Sequence, residues 1–291
     1  MIRLWPIRAL AQCPRHHLTR IGLRFVTDLF HLIQLAAHMT HRQLSIIYYQ
    51  MNPLPPPIST FSIVGRCPRT NMLGVGVASK YLAVGAVCSH TRAGTGAISS
   101  QAYGNPYLGI DGLSLLGRGL DAPQVLKQVL QQDPGREKRQ LIMIDHQGRT
   151  AAFTGSETDA WCGHVQGENY AAAGNILTGE TVIQAMAAAF EQSTEEELAE
   201  RLLRALEAGQ QAGGDRRGRQ AAHLQVVHTE AWKYVDLRVD EHPTPLIELR
   251  RIFELAKQEL FPFRALYPTR SNAGQDWDLD EYSRLSSSIE G

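Results

Sequence analysis

The stretch "PPPISTFSIVG", Pro55 to Gly65, decides how the chain is read. Pro53, Pro55, Pro56 and Pro57 fix φ and remove backbone donors, so Asn52 to Ser59 is expected to be an extended linker. Thr60 then opens an apolar run to Val64, whose β-branched content predicts the first strand of the folded domain. A hydroxyl at that threshold has two readings: a β-favouring residue starting a strand, or a group placed there for chemistry.

Upstream of the linker the composition changes. Residues 1 to 50 hold six arginines, no lysine, one acid (Asp28) and five of the eleven histidines. That skew suits a presequence or upstream DNA translated from too early a start; Met51 and the lack of a sustained amphipathic period favour the second. Residues 1–59 are therefore expected to lie outside the main domain, 60–262 to form it, and 263–291 to be a polar tail, disordered or loosely attached from Ser271 to Gly291.

The 291 residues, 43% of them hydrophobic, can bury a substantial core. Lys plus Arg and Asp plus Glu each number 29, so no net field draws the molecule to nucleic acid or to an anionic membrane. A small-molecule or peptide partner is expected instead. Cys13, Cys67, Cys88 and Cys162 form no CxxC pair, which predicts reduced thiols, a cytoplasmic location and no zinc site. No apolar run approaches the roughly 20 residues of a membrane-spanning helix.

Downstream of Thr60, "LGVGVAS" (Leu73 to Ser79) pairs with the first strand as a predicted hairpin, and strands are expected at Val84 to Ser89 and Thr95 to Ala102. Leucines and valines at helical spacing predict a helix pair over Pro106 to Gln132. Strands are expected again at Gln140 to Asp145, Thr150 to Thr154, Trp161 to Val165 and Tyr170 to Ala173. Two helices follow, Glu180 to Glu191 and one opened by a capping box at Ser193 or Thr194 and stopped at Gly209. The loop "AGGDRRGRQ", strands at His223 to His228 and Tyr234 to Val239, and a helix from Pro245 to about Leu260 complete the order. This order departs from strict βαβ alternation and suits an α+β fold of two mixed or antiparallel sheets with helices outside.

GxSxG, HExxH, GxxxxGK[ST] and EF-hand signatures are absent. "GVG" (Gly74 to Gly76) and "GTG" (Gly94 to Gly96) read as strand and turn glycines, so nucleotide binding is not expected. His90, His146 and His164 show no ligand spacing, so no metal or other cofactor is expected.

Taken in order, "TFSIVGRCP", "LGVGVASKYLAVGAV", "RAGTGAISSQAYGNPYLG", "DPGREKRQLIMID", "GRTAAFTG", "AAAGNILTG" and "GGDRRGRQAA" resemble the DUF1028 family, assigned to the N-terminal nucleophile (Ntn) hydrolase superfamily. The likeness spans about Thr60 to Leu260. It implies a four-layer αββα sandwich. Relatives begin Met-Thr-Phe-Ser-Ile-Val, so removing their initiator Met leaves the residue equivalent to Thr60 with a free α-amine.

The resemblance implies an amide-bond hydrolase acting on a small-molecule or peptide amide, with Thr60 as nucleophile. A hydroxyl needs a base, and a free α-amine with an unperturbed pKa of about 8 supplies one on the same residue. Here Ser59 precedes Thr60, so activation requires cleavage between them, and Ser59 is the fallback nucleophile. Lys80 stands where the superfamily often places a basic group near the nucleophile, although an exposed strand-end lysine explains it equally. Asn175 is a candidate oxyanion donor or a helix cap, and Asn105 carries the same ambiguity. Ser62 shares a strand face with Thr60 and can line the pocket. Asp215 can orient the amine, and Arg217 can hold a substrate carboxylate or simply be solvated. The alternative is a fold that has lost catalysis and serves as a ligand-binding or assembly protein, and exposed helical layers allow a homo-oligomer.

Overall fold

The computed structural model describes residues 60–274 and 278–287. The chain divides into compact units at Met1–Pro55 and Pro56–Gly291, and every described residue lies in the second. The expectations for residues 1–59 fall outside the described residues.

Two antiparallel sheets form the frame. The first has six strands: β1 (Thr60–Arg66), β2 (Leu73–Ser79), β7 (Gly163–Gly167), β8 (Tyr170–Gly174), β9 (Ala221–Val227) and β10 (Val235–Val239), in the order β10-β9-β2-β1-β8-β7. The second, in the order β3-β4-β5-β6, comprises β3 (Ser89–Arg92), β4 (Gly96–Ala102), β5 (Arg139–Asp145) and β6 (Thr150–Thr154). Seven helices occur among the described residues: α1 (Gly85–Cys88), α2 (Pro106–Leu116), α3 (Ala122–Gln132), α4 (Thr181–Gln192), α5 (Leu198–Gln211), α6 (Pro245–Glu259) and α7 (Leu279–Ser287).

Strand alternation determines what each side chain meets. On β1, Phe61 and Ile63 join the core under α4, α5 and α6, while Val64 joins a second core with Leu73, Val75, Ala97, Ile142, Ile144, Ala171 and Ala173. Those residues come from both sheets, so the sheets face each other. On the far side of the smaller sheet, Ile98, Leu141 and Met143 pack with Leu113, Leu116, Val125 and Val129 of α2 and α3. Apolar contact therefore runs from helices through two sheets to helices.

The glycines of β2 explain how closely α5 approaches. A methyl group on Gly74 would come within 2.7 Å of Leu202, and one on Gly76 within 3.1 Å of Leu206. Both positions are strand glycines with a packing role, as expected, since anything larger would lift the helix off the sheet.

Several local expectations are corrected. Residues 84–89, read as a strand for their valines, instead turn through α1, and the strand begins at Ser89. Ser193 does not open α5: its hydroxyl donates to the carbonyls of Ala189 and Phe190 and so closes α4, and α5 starts at Leu198 without a side-chain cap. Gly209 does not stop α5, which continues to Gln211; it lies against Met186 and Phe61 where a side chain would collide. In the tail, expected to be disordered or loosely attached, the acid-rich segment forms α7, none of whose residues is buried, with Tyr282 against the ring of Phe263.

A buried charge cluster ties α5 to α6. Glu200 accepts from Arg204 Nε at 2.6 Å and from Arg250 Nη1 at 2.7 Å, and Arg250 also forks onto Glu207. Burial alone would raise the Glu200 carboxyl, but the hydrogen bonds from Arg250 and Arg204 outweigh it and hold the group at about 2. Its folded value lies below the unfolded one of about 4.3, so its stabilisation is complete above that pH and fades as pH falls toward 2. Glu200→Gln is expected to cost about 2–3 kcal/mol at pH 7 and to flatten the acid limb of stability between pH 5 and 2. Urea unfolding at several pH values checks this.

Candidate active site

The inward faces of four strands change character along their length. On β1 they run Val64, Ser62, Thr60; on β4 Ala97, Ser99, Gln101; on β5 Ile144, Ile142, Gln140; and β8 passes from Ala171 and Ala173 to Asn175 just beyond its end. Apolar residues fill one end of the space between the sheets, and hydroxyls and amides fill the other.

The polar end is hydrogen-bonded through. Thr60 pairs in register with Ser79 on β2, and its hydroxyl donates to Ser79 Oγ at 3.3 Å. Ser62 Oγ donates to Gln101 Oε1 at 2.6 Å, and Gln101 Nε2 donates to Gln140 Oε1 at 2.7 Å. Asn175 Nδ2 reaches the same Gln140 oxygen at 3.0 Å, while its backbone N–H donates to the Thr60 carbonyl at 3.0 Å. Gln140 Nε2 lies 2.9 Å from both Thr154 Oγ1 and the Gly174 carbonyl, and 3.0 Å from the Gly163 carbonyl. Thr60, Ser62, Gln101 and Gln140 are fully buried and Asn175 nearly so.

Asp215 forms the rim. The loop around it pairs with the chain after β8, through a bridge between Leu177 and Asp215 and an Arg216 N–H bond to the Ile176 carbonyl at 2.9 Å. Ile176 takes φ +50, an uncommon conformation for a β-branched residue, and its N–H donates to the Asp159 carbonyl. The buried Asp215 carboxylate accepts from the Lys80 backbone N–H at 2.9 Å and from Arg217 N, Nε and Nη2 at 2.9, 3.3 and 3.1 Å. Four donors match the capacity of a carboxylate.

The structure thus brings Thr60, Ser62, Lys80, Asn175, Asp215 and Arg217 into one region at the Thr60 end of β1. Lys80 is exposed and follows the residue opposite Thr60. Arg217, expected either to hold a substrate carboxylate or to be solvated, turns its Nε–Nη2 edge onto Asp215. Asn105 is placed apart: its side chain caps α2 by accepting from Tyr107 N at 3.1 Å and contacts Asp133. Sequence reading missed Ser79, Gln101 and Gln140. For Gln140 a signal was there, since it falls on the inward position of a strand whose other inward residues are Ile142 and Ile144.

A separate polar staple joins the sheets at their other edges. His223 Nδ1 lies 2.9 Å from Ser89 Oγ and its Nε2 2.8 Å from Asp236 Oδ1, while Gln225 bridges Thr91 and Asp236. Burial works against the Asp236 carboxylate, but hydrogen bonding and charge from His223, with Gln225, lower it below the ordinary value. Among the described residues no group of three His, Cys, Asp or Glu side chains could hold a metal ion, and no helix is long and apolar enough to cross a membrane.

Fold and site together define a mixed α/β protein of two facing antiparallel sheets with a buried hydroxyl–amide cluster at one end. The chain belongs to a family of unknown function, DUF1028, whose model matches residues 60–249. It is similar to the crystal structure of protein SPO2555 from Silicibacter pomeroyi, of the same family, with 32% identity and a TM-score of 0.70 over 76% of this chain and all of that one. A structure of Anbu (ancestral beta-subunit) from Yersinia bercovieri shares 13% identity at a TM-score of 0.33 over 72% of this chain and 98% of that one, a likeness too slight to carry an argument. No curated protein matches.

Proposed function

We propose that the chain is an N-terminal nucleophile hydrolase of amide bonds, activated when the bond between Ser59 and Thr60 is cut. The observation that carries this reading is the position of Thr60: first residue of a central strand, side chain on the face between the sheets, hydroxyl bonded to Ser79, at the end where Lys80, Asn175 and Asp215 meet. The facing sheets with helices outside suit the αββα sandwich of that superfamily.

Cleavage turns the Thr60 amide nitrogen into an amine. The amine takes the Oγ1 proton as that oxygen attacks the substrate carbonyl carbon, and the C–O bond forms while the carbonyl π electrons move to oxygen. The Asn175 side-chain amide, positioned by its bond to Gln140, is the candidate donor to the developing charge. Collapse breaks the C–N bond, and the amine returns its proton to the leaving nitrogen. Water, deprotonated by the same amine, then hydrolyses the ester and frees Thr60. Ser62, Gln101 and Gln140 hold the cluster in register, Asp215 fixes the start of the Lys80 segment, and the Lys80 ammonium disfavours protonation of the nearby amine.

Intact-mass measurement on purified protein tests this. A chain beginning at Thr60, which takes up a β-lactone on its first residue, is the expected result. Turnover of substrate by a chain that retains Ser59 defeats the mechanism. The second reading, a binding or assembly protein, draws on the internal, buried state of Thr60 and wins if the uncleaved chain is stable and unlabelled.

A further inference from the structure

At the opposite end of β1 from Thr60 lies a cavity of about 470 Å³, lined among others by Cys67, Arg69, Tyr170, Phe190, Glu191 and Arg201. Arg201, on α5, is only 6% exposed. Its Nη2 donates to the Phe190 carbonyl at 3.0 Å, its guanidinium carbon sits 3.8 Å from the centre of the Phe190 ring, and its buried Nε has no hydrogen-bond partner among the described residues. No carboxylate of the described residues pairs with it. A guanidinium removed from water without a counter-charge is costly, and a ring face offsets only part of that cost.

The remaining walls carry charge of both signs. Arg69 is anchored at the mouth by Glu195 Oε2 at 3.2 Å and by the carbonyls of Glu195 and Glu196. Burial tends to raise the Cys67 thiol, but hydrogen bonds from Thr70 and Arg69 outweigh it, so the thiol lies below its ordinary value. Those bonds run to the sulfur of Cys67, itself a lining residue. Against this stand Glu168, Glu191 and Glu195, of which Glu191 accepts from Tyr170 Oη at 2.6 Å and Glu195 is paired with Arg69. Three rim carboxylates disfavour a dianion such as phosphate. Tyr170 and Phe190 lie behind the wall with almost no exposed surface, their ring centres 5.1 Å apart.

We infer that this cavity binds the carboxylate of a small organic acid, with Arg201 as its buried counter-charge. The seven residues of β1, at about 3.3 Å each, separate this site from Thr60, so it is a second site and stands whether or not Thr60 is catalytic.

Benzoate, with neutral benzamide as control, is the probe. Calorimetric titration of the full chain is expected to show millimolar or tighter binding of benzoate and at least tenfold weaker binding of benzamide. Arg201→Met is expected to lose benzoate binding at least tenfold. Because that variant removes a buried residue, amide chemical-shift mapping on unaltered protein is the second measurement, and benzoate is expected to move the signals of Arg69, Thr70 and Arg201. Equal binding of both probes, no binding, retention by Arg201→Met, or shifts centred elsewhere would each overturn the inference.

Discussion

Thr60→Ala, made in a chain begun as Met followed by residue 60 so that the initiator is trimmed, is expected to lower amide hydrolysis by about three orders of magnitude or more. Alanine keeps the free amine and the strand but has no oxygen to acylate, so the loss falls on kcat. Thr60→Ser retains the oxygen and is expected to retain measurable turnover. The fold is expected to tolerate the change, because alanine keeps the strand backbone while giving up the side-chain bond to Ser79 at 3.3 Å. A melting curve within about 3 °C of the parent separates lost chemistry from lost structure. Single-turnover kinetics with a chromogenic amide, followed by peptide mass analysis of the acylated residue, checks both halves.

Gln140→Leu is expected to damage the molecule more broadly. This side chain, wholly buried, accepts from Gln101 and Asn175 and donates among Thr154 and the carbonyls of Gly163 and Gly174. Leucine fills much of the volume yet leaves two amide donors and two carbonyls without partners, at about 1–3 kcal/mol for each group that cannot relax to water. A total of about 3–5 kcal/mol is expected, which in a domain of this size lowers Tm by roughly 10 °C. Asn175 also loses the contact that orients its amide, so activity measured well below the new Tm should still fall. Calorimetry and a rate assay at a common low temperature distinguish the two effects.

The strand and helix periods of the domain were legible because its cores are sided. Phe61 and Ile63 against Val64, or Leu141 and Met143 against Ile142 and Ile144, announce two apolar faces, and only a strand between two layers needs both. What could not be read depended on distant partners. Val84 and Val87 have strand character, but α1 packs over the His223 ring, where a methyl group on Gly85 would come within 2.5 Å, and that contact lies far away in sequence. Ser193 carries a capping signature for the helix after it, and its hydroxyl chose the carbonyls of the helix before it.

The candidate site was partly legible for the same reason. Thr60, Asn175 and Asp215 come from segments with recognisable motifs, and the sheet register brings them to one end. Gln101 and Gln140 looked like ordinary polar residues until β4 and β5 placed them face to face across a register pair. Arg217 has the fork a carboxylate ligand would want, yet the nearest carboxylate is two residues away in its own loop.

The graded lining between the sheets also bears on motion. Where Val64, Val75, Ile144 and Ala171 meet, parting the sheets would wet apolar surface, so that end acts as the spine of a book. At the Thr60 end the pages are held by amides and hydroxyls, whose bonds water can replace one for one. Opening the page edges costs less than opening the spine, and under the proposed function that is the end a substrate would have to enter.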